Sequence, residues 1–418
     1  MSGFDPDSFA CNYDGLISLD LALAEIARRV TPVAGIETVP LRQALGRVLA
    51  EGQTSAIAVP GFDNSAMDGW AVFSADCSPE GPTLLPQGGR VAAGHPLREP
   101  AQRGKAYRIF TGAPMPQGPD AVLMQEHCRL EGTMVVLPAG RPKPGTNIRR
   151  AAESVQAGAV ALAAGIRLRP QEIGVAATIG LTALPVRRKL RVAIFSTGDE
   201  VREPGQPLDD GCLYDANRFT LASLLDGLGC DVTDLGILPD RLDVITAALA
   251  EAAGEHDLII TSGGVSVGEE DHVKAAVTAQ GSLHLWRLAL KPGKPLALGQ
   301  IGRTPFLGLP GNPVAAMVTF LLVARPLIGR LAGAHLPPLR RYPLPAAFGL
   351  SKKAGRREFP RARVVDSGFG LVVELFRSDS SNILTSMTAT DGLLDLPERA
   401  MEIAPGDLVD FLPFPEAG

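Results

Sequence analysis

The sequence predicts an α/β chain, with a central doubly wound, mostly parallel sheet domain and additional small α+β and β-rich domains. Three observations predict it. Strand-like runs at 190–196, 232–237, 258–261 and 306–309 alternate with two helical stripes, Leu221/Leu224/Leu225/Leu228 and Leu242/Ile245/Leu249/Ala252, and such alternation builds βαβ units around a parallel sheet. Two of these runs end in Gly-rich segments, Thr261 to Asp271 and Gly308 to Pro313, which read as strand–loop–helix junctions. At 418 residues the chain is too long for a single core.

In chain order, Leu19, Leu23, Ile26, Ala27 and Val30 recur at helical spacing after the candidate N-cap Ser18, and Leu41, Leu45, Val48 and Leu49 suggest a second short helix. Short apolar runs at 107–110, 121–124 and 134–137, separated by Pro and Gly clusters, mark 55–145 as a small β-rich domain. Residues 146–188 combine a strand at 159–162 with a helix from Pro170 and are expected to pack back on 16–54, the two segments making one α+β domain. The α/β domain follows at 189–333, and 337–418 returns to short strands as a C-terminal β domain.

Composition narrows the function. A net charge of -5 gives no basic face, which argues against nucleic-acid binding. The beginning carries Asp5, Asp7 and Asp14 without a cationic and apolar leader, and the apolar stretches near 157–166 and 315–324 are too short to span a bilayer, so a cytoplasmic protein with no membrane partner is expected. The five cysteines lack C-x-x-C spacing and signal neither zinc nor a disulfide framework.

The chemistry concentrates at the strand ends. Small residues let a phosphate approach the backbone, the following helix N-terminus offers N–H groups, and Pro313 suits a first helical turn. Ser262, Gly263, Gly264 and Ser266, with Pro310, Gly311, Asn312 and Pro313, are therefore candidate phosphate contacts. Glu269, Glu270 and Asp271 put negative charge beside that anion site, which calls for a cation between them, Mg2+ by preference. In an open parallel sheet the residues after each strand converge. Ser196 to Glu200 and Pro239-Asp240 thus join the same rim, making Glu200, Asp240 and Asp271 candidate metal-binding and acid/base carboxylates. Asp199 remains a turn or cap residue, and Asp240 reads equally well as a turn before the helix at Leu242. Lys291 and Lys294, each followed by a proline, are either oxyanion clamps or part of a solvated loop. Upstream, Asp63, Asn64, Ser65 and Asp68 crowd beside Met67 and Trp70, as a ring- or ribose-binding group or as an Asx-rich turn; Thr111 has the same two readings.

These residues spell a family. FDNSAMDGWA (62–71), RIFTGAPMP (108–116), STGDE (196–200), YDANR (214–218), TSGGVSVGEED (261–271), LALKPGKP (288–295) and GLPGNP (308–313) resemble, nearly end to end, the MoeA molybdopterin molybdenumtransferases, whose eukaryotic counterpart is the gephyrin E domain. The resemblance implies an elongated, four-domain homodimer in which the doubly wound domain of one subunit faces the small domains of the other. It implies Mg2+-dependent insertion of molybdate into adenylylated molybdopterin with release of AMP, downstream of a molybdopterin adenylyltransferase. Carried onto this chain, it assigns Asp63 and Thr111 to the partner-supplied face and Glu200, Asp240 and Asp271 to metal and molybdate chemistry. Lys291 falls to anion binding, Pro310 and Pro313 to the pocket wall, and Arg361 and Ser381 to matching basic and hydroxyl positions. Arg287, a further substrate-binding candidate, stands where lysine is common; 147–154 lacks the Gly-Glu-Asp expected after its arginines; Trp70 replaces a frequent Tyr. The alternatives are a molybdopterin adenylyltransferase, a non-catalytic scaffold of the gephyrin type, or a tungsten-selective insertase.

Overall fold

The structure is a computed structural model and describes residues 15–264 and 272–414. At its centre is a six-stranded sheet of β1 (Arg191–Thr197), β2 (Asp231–Leu238), β3 (Leu258–Ser262), β4 (Gly281–Arg287), β5 (Pro295–Ile301) and β6 (Thr304–Leu309). The spatial order is β2-β1-β3-β6-β5-β4; the first four run parallel, and β5 and β4 join antiparallel. The helices used below are α1 (Leu19–Arg29), α2 (Asn217–Gly227), α3 (Leu242–Glu255), α4 (His272–Gln280) and α5 (Pro313–Leu331).

The apolar runs are near-continuous because both sheet faces are covered. Successive strand side chains point to opposite faces. Val192 and Ile194 of β1, with Leu258, Ile260 and Leu307, meet Leu221 and Leu225 of α2 and Val314 and Val318 of α5. Ala193 and Phe195, with Ile259 and Phe306, meet Ile245 and Leu249 of α3 and Val273 and Ala276 of α4. This is a doubly wound layer. Burying each large side chain contributes roughly 1.5–3 kcal/mol, so the strand ends project from a rigid base. The 19-residue α5 is long and apolar enough to cross a membrane by length and composition, yet 78% of its apolar window is buried inside the protein.

The N-terminal segment divides between two cores. Ser18 Oγ accepts from Leu21 N (3.2 Å) to start α1, and Leu19, Ala22 and Ile26 are buried with Leu327 and Leu331 of α5. Farther on, Ile36–Pro40 pairs with Ala183–Arg187, and Gln53–Thr54 with Val160–Leu162, both antiparallel. The expected helix over Leu41, Leu45, Val48 and Leu49 is instead a single 3-10 turn, Leu41–Gln43. Gly46 at φ 75 turns the chain, and Val48 and Leu49 form bridges to Arg167 and Val186. Pairing with a distant segment overrides the local apolar spacing.

A second six-stranded sheet has Gly69–Val72 between Ala121–Met124 and Ala106–Ile109, and Ile148–Arg149 returns to pair with Asn64–Ser65. The C-terminal sheet is five-stranded and antiparallel. It reaches the central domain through Arg357–Glu358, which runs parallel to Leu290–Lys291 and so sets C-terminal residues beside the Lys-Pro-Gly-Lys loop.

Candidate active site

The chain leaves β1 for β2 on one side and then crosses to β3 on the other, so the carboxyl ends of β1 and β3 flank a topological switch point. A cavity of ≈ 560 Å³ opens there, walled by Ser196, Thr197, Glu200, Asp215, Ser262 and Gly311 among others. Its floor is built by one side chain. Asn217, at the start of α2, donates through Nδ2 to Ser262 Oγ (2.8 Å) and to Gly311 O (2.6 Å), and Ser262 Oγ donates to Pro310 O (2.9 Å). The ends of β3 and β6 are thereby locked together. Gly264 follows at φ 63, where a Cβ would lie 2.7 Å from Val273 Cγ2, so only glycine lets this loop pass over α4. Pro313 occupies the first turn of α5, with Asn312 at its N-cap.

Glu200 lines the cavity and folds back over Gly198, where a Cβ would lie 2.7 Å from its Oε2. Asp240 sits beside the same strand end, its Oδ1 3.5 Å from Thr197 Oγ1. Asp271, Ser266, Glu269 and Glu270 lie outside the described residues.

A second cavity of ≈ 500 Å³ shares Gly263, Gly311 and Asn312 with the first and is lined also by Gly264, Lys291, Lys294, Pro310 and Ser381. Lys294 is exposed. Lys291 Nζ donates to Asp379 Oδ2 (3.1 Å) and lies 3.4 Å from Glu358 Oε2. Burial opposes the Lys291 ammonium, but the hydrogen bond to Asp379 and the charge of Glu358 outweigh it and hold it above the usual lysine range. The Lys291 hydrogen bond and charge hold Asp379 below the usual carboxylate range. The Lys291 charge is thus already engaged by two carboxylates within the protein.

Ser381 Oγ accepts from Asn312 Nδ2 (2.9 Å), and Ser381 O accepts from Val314 N (3.1 Å), which ties the C-terminal domain to the head of α5. Arg361 does not reach outward. It is 2% exposed and donates to Ser386 Oγ (3.0 Å), Ser378 O (2.7 Å) and Ser380 O (2.9 Å), framing the loop that carries Asp379 and Ser381. Burial lowers its pKa from the usual arginine value. Arg287 stands exposed at the end of β4, opposite Pro295, and lines neither cavity.

Asp63 and Thr111 sit on the small β-rich unit and line neither of these cavities. Asp63 accepts from Ala151 N (2.8 Å) and Arg150 Nη1 (2.5 Å), and Ala151 N–H with Arg150 holds its carboxyl below the usual range. Asp68 Oδ1 accepts from Thr111 N (2.7 Å) and Oγ1 (2.8 Å). Arg150 and Ala151, the latter opening the 151–154 stretch that departs from the expected pattern, thus still support Asp63. Cys77, Cys128, Cys212 and Cys230 are free thiols; burial pushes Cys128 up to about 11 and Cys230 to about 12, which disfavours thiolate chemistry there. Asn217 and Asp379 carry site geometry for which the sequence motifs held no assignment.

Family models match in three consecutive blocks: "MoeA N-terminal region (domain I and II)" at 17–180, "Probable molybdopterin binding domain" at 193–330 and "MoeA C-terminal region (domain IV)" at 343–414. Fold and rim together thus define a multidomain α/β protein built around a domain of the molybdopterin-binding type. A molybdopterin molybdenumtransferase of Haemophilus influenzae is 38% identical over 403 residues, 96% of this chain and 99% of that one. Molybdopterin molybdenumtransferase 2 of Mycobacterium tuberculosis is 37% identical over 92% of this chain and 95% of its own. The crystal structure of the molybdopterin biosynthesis moeA protein from Pyrococcus horikoshii OT3 superposes with a TM-score of 0.82 at 27% identity, over 96% of this chain and all of that one (100%). The chain belongs to the MoeA family of molybdopterin molybdenumtransferases.

Proposed function

We propose that this protein inserts molybdate into adenylylated molybdopterin and releases AMP. One observation carries the reading: two cavities share Gly263, Gly311 and Asn312, one with the Glu200 carboxylate in its wall and the other with lysines (Lys291, Lys294). The nucleotide end of the substrate belongs in the first, where the Gly263 backbone and the N-terminus of α5 meet a phosphate. Molybdate belongs in the second, where Lys294 and Lys291 supply positive charge.

Among the described residues no group of three or more His, Cys, Asp or Glu forms a preformed cation cage. Mg2+ does not need one, since it takes one or two carboxylates and completes its shell with water and phosphate oxygens. Glu200 in the wall of the first cavity, and Asp240, which lines neither cavity but lies 3.5 Å from Thr197 Oγ1 at its edge, supply oxygen donors of that kind and would hold it, with Asp271 a further candidate outside the described residues. When bound, Mg2+ supplies charge neutralisation to the pyrophosphate as its P–O bond breaks. The chain itself orients the guest: Asn217 fixes the loop ends, Ser381 and Asn312 fix the partition between the cavities, and Lys291 exchanges Asp379 for the incoming oxyanion.

The same reading makes the protein a cytoplasmic homodimer working after a molybdopterin adenylyltransferase. Asp63 and Thr111 reach the site from a second copy, a placement supported by their lining neither cavity of their own chain. The test is purified protein with adenylylated molybdopterin, Mg2+ and micromolar molybdate. Active cofactor and AMP in equal amounts support the proposal; consumption of ATP with unmodified molybdopterin would assign the chain to adenylyl transfer instead.

A further inference from the structure

The outer wall of the first cavity is a loop, 198–216, attached to neither neighbouring sheet. Its two short strands, Val201–Arg202 and Leu213–Tyr214, pair in parallel with each other over two residues, and 203–212 swing outward between them. Leu208, Leu213 and Tyr214 are exposed on it. Two paired residues give little independent stability, so the position of this ribbon depends on what fastens it.

Arg218, in the first turn of α2, is the fastener. Its side chain is 4% exposed, and Nε donates to Asp215 Oδ2 (3.1 Å). Nη2 donates to Glu203 and Nη1 to Asp234 of β2. Glu203 directly follows the first strand of the ribbon and Asp215 directly follows the second. One planar guanidinium therefore holds both legs together and ties them to the edge of the central sheet. A lysine, with one nitrogen, cannot span three partners in this geometry. The next residue back, Asn217, is the side chain that locks Ser262 to Gly311, so a shift at Arg218 displaces floor and wall together.

We propose that Arg218 is a positioning residue for the nucleotide-bearing substrate, clamping the 198–216 ribbon so that the wall of the first cavity is held closed on its guest. The substrate named here rests on the function proposed above; the clamp itself does not.

Two variants test it. Arg218→Lys keeps the charge and loses the fork, and Asp234→Asn weakens the tie to the sheet at a carboxylate that does not line the cavity. Steady-state AMP release is expected to show KM for adenylylated molybdopterin raised about tenfold in the first and a few-fold in the second, with kcat within about twofold. Amide hydrogen exchange at 201–215 is expected to quicken in both variants while amides of β1 and β3 keep wild-type rates, and millimolar AMP should slow it again. A fall in kcat at unchanged KM, or wild-type KM and exchange in both variants, overturns the proposal. Should Arg218→Lys exchange faster throughout the chain, Asp234→Asn decides by the same readouts. Should the wild-type protein release no AMP, the reading of the reaction fails while the exchange rates still decide the clamp.

Discussion

Asn217 Nδ2 lies 2.8 Å from Ser262 Oγ, and this one contact, shared with Gly311 O, joins the ends of two parallel strands to the start of the helix between β1 and β2. The rim of the sheet is therefore a braced unit and not a set of independent loops.

Asn217→Asp removes the donor, turns an acceptor toward Gly311 O and adds negative charge beside the proposed phosphate site. KM for the adenylylated substrate is expected to rise by about tenfold or more, beyond the effect of Asn217→Ala, which adds no charge. Steady-state AMP release on both variants checks the order.

Gly264→Ala must place a methyl against Val273 in a left-handed backbone. A loss of about 1–3 kcal/mol is expected, read as a lowered urea midpoint at unchanged slope. A variant as stable as the parent would mean that the loop passes α4 with more room than this.

Asp257 precedes β3 and accepts from Arg188 Nη1 (2.5 Å) and Nη2 (2.7 Å) and from Arg191 N (2.9 Å). Burial opposes its ionisation, but these donors outweigh it and hold its carboxyl below the ordinary 3.8. A depressed carboxyl contributes stability that is complete above its unfolded pKa and lost as pH falls through the folded one. Asp257→Asn is expected to be less stable than the parent at pH 7, with the gap closing below about pH 4. Urea unfolding across that range checks it.

The sequence carried the central sheet because covered faces demand unbroken apolar runs such as Val192 to Phe195, and it carried the rim because strand ends converge in such sheets. It assigned Asn217 no role beyond its place in the YDANR motif, since an asparagine opening a helix looks like any cap. Nor did it reveal the Lys291–Asp379 pair, whose members stand 88 residues apart. Arg361 and Arg287 looked like reaching cations; the first is spent on carbonyl oxygens and the second faces solvent. The helix expected near Leu45 gave way to bridges with Arg167 and Val186, partners that local spacing does not encode.

Glu200→Gln keeps the shape of a cavity wall and removes its charge. Turnover is expected to fall by about a hundredfold with KM changed far less, since charge neutralisation matters most as the P–O bond breaks. Asp240→Asn should fall in the same direction, and raised Mg2+ should partly restore both.

The most direct test of the account is a crystal structure of the protein with AMP and Mg2+. The account predicts the phosphate between Gly263 and the N-terminus of α5, with Glu200 and Asp240 on the metal side. AMP bound elsewhere, with the space between Gly263, Gly311 and Asn217 left to solvent, would contradict it.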